Sequence, residues 1–234
     1  MEEDFERLPA QSRFVEICRI KNSQVNALAS KVARCMASQC EEPEEIRSCF
    51  AYILGELIAN VDQHSGGAGF LSAQHYPDKG SIHVAVGDCG VGIRRSFEGT
   101  HLEEQLRTPR AALEKALEPT VSSALLRPPS GPYQGRNNRG LGLSMISKLI
   151  SETHGQFRLF TENAVYEQIG DVSFKFDETS HTHPGTLASL SINTDEITNF
   201  NEVIGEISNR VEPSELDEWD EMFESPKDEL DSSP

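Results

Sequence analysis

Apolar and polar residues alternate along Phe14-Val-Glu-Ile-Cys-Arg-Ile20, a period of two that predicts a strand with one buried face. The period then lengthens. Val25, Leu28, Ala29, Val32 and Met36 recur at helical spacing, so a helix capped by Asn22 or Ser23 should run to about Cys40. Pro43 suits the first turn of a second helix, and Glu44 and Glu45 suit the positive end of its dipole. Ile46, Phe50, Ile53, Leu54, Leu57 and Ile58 form the inner face of that helix, which should end near His64, ahead of Gly66-Gly67. Strands are expected at 70–76 and 81–87 around a Pro77–Gly80 turn.

After Gly92 the pattern turns helical again, with a helix expected from His101 to Leu117. Pro119 to Asn138 is polar, carries Pro and Gly, and is long enough to read as a lid or a disordered loop. A third helix should start at Gly140 and reach about His154, followed by strands at 156–161, about 164–176 and 186–192. This order predicts an α/β (α+β) two-layer sandwich, with one mixed β-sheet covered on one face by helices. Three segments result: an N-terminal strand region at 1–21, a domain at 22–194 with a lid at about 119–139, and a C-terminal tail at 195–234.

Composition changes this picture at its ends. The chain has 234 residues, enough for one domain, and a formal charge of −17. Ten acidic residues and one lysine between Glu212 and Pro234 contribute −9, which leaves −8 for the rest. The acidity is mainly a property of the tail. It argues against a nucleic-acid surface, which needs a basic footprint. No stretch approaches the roughly 18 apolar residues of a membrane span. The acidic Met1-Glu-Glu-Asp start lacks the apolar run of a signal peptide, so a cytoplasmic protein is expected. Five scattered cysteines with no Cys-x-x-Cys pair read as free thiols rather than as disulfides or a metal site.

Three short patterns could carry chemistry. Glu56 and Asn60 stand four residues apart on a helix, so both side chains leave from one face. The amide oxygen of Asn60 can ligate a hard cation such as magnesium, and the Glu56 carboxylate can accept a proton. On this pair alone, a solvated helix edge is the simpler account. The strand 81–87 runs directly into Asp88-Cys-Gly90-Val-Gly92, an acid at a strand end followed by a turn that lets a flat ligand approach the backbone. Asp88 can accept a hydrogen bond from an exocyclic amine such as that of adenine. Asn137-Asn-Arg139-Gly140-Leu141-Gly142-Leu-Ser opens a helix with small residues, whose free N–H groups form a phosphate site. Arg136 and Arg139 add cationic donors there. The chain has no P-loop, and Gly90-Val-Gly92 does not extend to a dinucleotide fingerprint because position 95 is Arg.

In order, Glu56-x-x-x-Asn60, Asp88-x-Gly90-x-Gly92, Gly140-Leu141-Gly142-Leu and Gly185-Thr186 resemble the successive boxes of the GHKL ATPase superfamily, from Glu44 to Ile192. That superfamily includes gyrase B, the heat-shock chaperone ATPase, histidine kinases and MutL. The resemblance implies a Bergerat-type ATP-binding fold with ATP and Mg2+ as cofactors. Asn60 would ligate the magnesium and Glu56 would be the catalytic group that activates the nucleophile. Asp88 would bind the adenine amine, and Gly90 and Gly92 would shape its pocket. Arg139, Gly140, Leu141 and Gly142 would lie against the phosphates, and Thr186 would support Asp88 through its hydroxyl or a water. Asn138 departs from the family, which often has glycine there.

No histidine precedes His64, which argues against an autophosphorylating histidine kinase. The chain is also short for the transducer domain of gyrase-like machines. A stand-alone domain resembling the anti-sigma-factor serine kinases is expected, acting as an ATPase or serine/threonine kinase on a partner protein. The alternative is a nucleotide-gated interaction module with little turnover. His181-Thr-His183 reads as polar loop rather than as a metal fragment. In the tail, Leu216, Trp219, Met222 and Phe223 lie at helical spacing among acidic residues, so the tail is either a solubilising segment or a helix that docks on a protein partner. No membrane partner is expected, and a homodimer stays open.

Overall fold

The structure is a computed structural model in which residues 13–20, 25–119, 121–122, 142–171, 173–197 and 200 are described. The chain divides into two units, Met1–Thr198 and Asn199–Pro234, and only Phe200 of the second is described. The expectations placed on the lid beyond Ser122, on Arg136, Arg139, Gly140 and Leu141, on the caps Asn22 and Ser23, and on the tail motif lie outside the described residues.

Strand β1 (Phe14–Ile20) is followed by helices α1 (Val25–Ala37) and α2 (Pro43–Asn60). Strands β2 (Gly69–Tyr76) and β3 (Ser81–Asp88) lead to a short helix α3 (Gly92–Ser96) and to α4 (Pro109–Ala116). Helix α5 (Gly142–Glu152) precedes β4 (Gln156–Ile169) and β5 (Ser173–Asn193). The sheet order is β1-β2-β3-β5-β4, and every pair is antiparallel. The expected mixed sheet is therefore corrected to an antiparallel one among the described strands. The strand order explains it: β5 lies between β3 and β4 and runs opposite to both, so β3 and β4 run the same way without being paired.

One face of this sheet is covered. Leu71, Ala73, Ile82, Val84, Val86, Phe157, Leu159, Ala188, Leu190 and Ile192 are buried on it, at every second position of their strands. Phe50, Ile53, Leu54 and Ile58 of α2 and Met145, Ile146, Leu149 and Ile150 of α5 are buried with them. Burying an apolar side chain of this size stabilises by about 1.5–3 kcal/mol. The other face keeps Phe70 and Leu187 at 40% and 43% exposure. The result is an α+β arrangement of two layers, as the hydrophobic pattern predicts.

One boundary moves for a local reason, and another is met by an unusual turn. Pro109 sits in the first turn of α4, and Thr108 caps it by accepting the Ala111 N–H at 3.1 Å. Proline disfavours helical backbone at the residue before it, so the helix expected from His101 begins only at Pro109. Helix α2 does not stop at Asn60 but widens into a π-helical turn, Val61–Ser65, closed by Gly66 at φ 61°.

The last two strands are folded back on themselves. A straight strand the length of β4 would hold its ends roughly 45 Å apart. Instead the Gly170 N–H donates to the Gly155 oxygen at 2.8 Å, and Arg158 Nε donates to Glu167 Oε1 at 2.6 Å. The reversal is at Glu162, whose φ is 50°. The returning half carries Gln168, which is fully buried against α5. Its Nε2 donates to the Ser147 oxygen, Ser151 Oγ and the Gly170 oxygen, while its Oε1 accepts from Ser147 Oγ and the Tyr166 hydroxyl. Gln168→Leu removes these bonds and leaves only the longer contacts that Ser147, Ser151, Tyr166 and Gly170 make with one another, so urea unfolding should show a loss of about 1–3 kcal/mol. This amide is what seats α5 against β4.

Candidate functional site

The residues that open helices and close strands meet at one end of the sheet. Glu56, Asn60, Asp88, Gly92, Gly142 and Thr186 all line a single cavity. They come from α2, the end of β3, the starts of α3 and α5, and β5. Sequence spacing links Glu56 to Asn60 and Asp88 to Gly92, but the convergence of these two pairs with each other and with Gly142 and Thr186 is a product of the fold. Leu57 of α2, Val61 of the π-helical turn, and Val86, Leu159 and Ala188 of the sheet form apolar walls, and Ile93, Phe97, Ala116 and Val121 complete the lining. Ser65, Ser96 and Ser122 add hydroxyls. An apolar slot with a few convergent polar groups is the usual form of a small-molecule site.

Asp88 is 6% exposed, and both its carboxylate oxygens are held. The Gly90 N–H donates to Oδ1 at 2.8 Å and the Thr186 N–H donates to Oδ2 at 3.3 Å. Thr186 thus supports Asp88, but from its main chain. Burial pushes the Asp88 carboxyl above the usual carboxylate range, opposed by the Gly90 and Thr186 N–H groups and the nearby His183. Each oxygen keeps a lone pair for a ligand N–H. The turn that follows is shaped by close approach. Gly90 lies against the Ser65 main chain with no room for a side chain, and Gly92 adopts φ 75°, a conformation that only glycine takes at little cost.

Glu56 and Asn60 do share one face of α2 and both reach the cavity. Glu56 keeps part of its surface open to that cavity, yet burial pushes its carboxyl up to about 7. Gly142 packs directly on it, and a Cβ there would collide with the Glu56 carboxylate. The first turn of α5 is thereby placed beside Glu56, with Gly142 and Leu143 lining the cavity. Among the described residues, no group of three or more His, Cys, Asp or Glu side chains could hold a metal ion.

The raised Glu56 carboxyl has a consequence for stability. A carboxyl that is harder to ionise in the folded chain than in the unfolded one costs stability as pH rises from about 4.5 to 7. The cost is then constant. Glu56→Gln should therefore raise stability at pH 8 by about 1–2 kcal/mol, reduced from the full shift by the group's contact with solvent, and leave it unchanged near pH 4. Thermal unfolding at the two pH values measures the difference.

Several residues that shape the site carry no sequence signal. Thr161 is fully buried, accepts the Ile93 N–H at 3.1 Å and donates to the Gly185 oxygen at 3.1 Å, which ties α3 to β5. Arg94 binds the Glu162 carboxylate through two N–H groups, at 2.9 and 3.1 Å. His181 and His183, expected in a loop, lie within β5, where His183 is the ladder partner of Glu162. All five cysteines are free, and Cys89 in the Asp88 turn is exposed. Among the described residues, no helix is long and apolar enough to cross a membrane. No protein-family model and no curated protein sequence matches the chain.

Proposed function

We propose that this cavity binds ATP with magnesium, in a GHKL-type domain of Bergerat topology whose lid is the 119–139 segment. The observation that carries the proposal is the convergence of Glu56, Asn60, Asp88, Gly92, Gly142 and Thr186, drawn from four separate motifs, on one cavity. The residues fit the ligand. Asp88 offers a fixed acceptor for the adenine amine between apolar walls suited to the base. Gly142 opens a helix whose N–H groups suit phosphate oxygens. The Asn60 amide oxygen suits a magnesium ion that keeps most of its ligands from phosphate and water.

The function that follows is an ATPase or a serine/threonine kinase-like regulator of a partner protein. Glu56 favours this over a module that only senses nucleotide. Burial raises its carboxyl to about 7, close to neutral pH, which suits a group that takes a proton from an attacking hydroxyl or water. Calorimetric titration of the full chain with Mg-ATP tests binding, and absence of heat at millimolar nucleotide rejects the proposal. Labelled phosphate released or transferred to a partner distinguishes the enzyme from the sensing module.

A further inference from the structure

The Asp88–Gly92 turn is held from outside by a side chain that no motif includes. His183 Nε2 lies 2.7 Å from the main-chain oxygen of Asp88. A carbonyl oxygen only accepts, so the hydrogen is on Nε2. We propose that His183 is a positioning residue for the base of the bound nucleotide, fixing the peptide of Asp88 and with it the direction of the carboxylate. The inference rests on the ATP reading of the cavity.

The geometry supports a specific role rather than space filling. The two N–H groups that aim the carboxylate belong to Gly90, two residues after Asp88, and to Thr186, three residues after His183. A bond between His183 and Asp88 therefore joins the two segments on which the carboxylate depends. His183 is itself constrained. Its ladder partner Glu162 is bound by Arg94, which stands two residues after Gly92. Contacts close a ring from Asp88 through Gly92, Arg94, Glu162 and His183 back to Asp88. The imidazole also stacks on Phe160, with ring centres 6.2 Å apart and planes 25° from parallel. Only the side chain of residue 183 completes the ring, and an amide can replace an imidazole as donor where a methyl cannot.

Two nucleotides separate positioning from general support: Mg-ATP, and magnesium purine riboside triphosphate, which lacks the 6-amino group. His183→Ala should weaken ATP by about tenfold and purine riboside triphosphate by less than about twofold, because the lost alignment matters only to the amine. His183→Gln should hold ATP within about threefold of the native chain. Equal losses for both nucleotides, or no loss for ATP, overturn the inference while leaving ATP binding intact. Failure of the native chain to bind ATP overturns the reading beneath it instead. Nitrogen-15 spectra of the histidine rings in the native chain give a check that needs no variant. A His183 proton on Nε2 is expected, and a ring protonated on Nδ1 alone overturns the inference.

Discussion

Replacing Asp88 by asparagine should weaken Mg-ATP binding by about 10²- to 10³-fold, the largest change in affinity expected from a single substitution in this cavity. Both carboxylate oxygens already accept a main-chain N–H, from Gly90 and from Thr186. An asparagine has one oxygen, so its NH2 must face one of those N–H groups or the ligand's amine. Each arrangement sets donor against donor in a buried place, and the lost bond is not recovered from water. The chain itself should stay folded. Burial disfavours the Asp88 charge, which offsets part of the cost of setting an asparagine NH2 against a main-chain N–H, so the loss of stability should be about 1–2 kcal/mol. Calorimetry with Mg-ATP and thermal unfolding of the variant measure the two effects. Unchanged affinity would reject Asp88 as the group that meets the base.

Replacing Glu56 by glutamine should lower turnover by about 10²- to 10⁴-fold while ATP affinity changes little, the pattern of a lost proton acceptor. The amide keeps the shape that packs on Gly142 but cannot take a proton. The native pH profile gives the sign. The carboxylate is the active form, so the rate should rise with pH through about 7 and level off above it. In the variant, whatever rate remains should lose that step. Phosphate release that survives Glu56→Gln, or a profile flat between pH 6 and 8, would remove Glu56 as the base and leave the nucleotide-sensing module as the better account. The same carboxyl is the one whose charge costs stability above pH 7, so the group proposed as the base would be a burden on the fold.

The pattern of apolar positions along the chain determined most of the elements, because periodicity is a local property. Pro43 starts α2 as expected, and β2 and β3 fall where strands are expected. It determined also that Glu56 and Asn60 share a helix face, since four residues make about one turn. What it could not determine is distance between segments. The reversal of β4 at Glu162 is one example: nothing in 156–169 forbids a straight strand, and the fold-back follows from Gln168 reaching α5 and Gly170 reaching Gly155. The antiparallel sense of every strand pair is another, because alternation reads the same in either direction.

The candidate site divides in the same way. Its motif residues stand out in the sequence because glycines and acids at strand and helix ends leave a local trace. Thr161, Arg94 and His183 leave none, because their roles depend on partners that are 68, 68 and 95 residues away. Sequence alone settled which residue types are available to a ligand. Only the tertiary structure decided that Asp88, Gly142 and Thr186 face the cavity that holds Glu56 and Asn60, and that a histidine read as loop grips the peptide of Asp88. The physical reason is that chain connectivity fixes the neighbours of a residue along the strand or helix, whereas packing fixes its neighbours across the sheet.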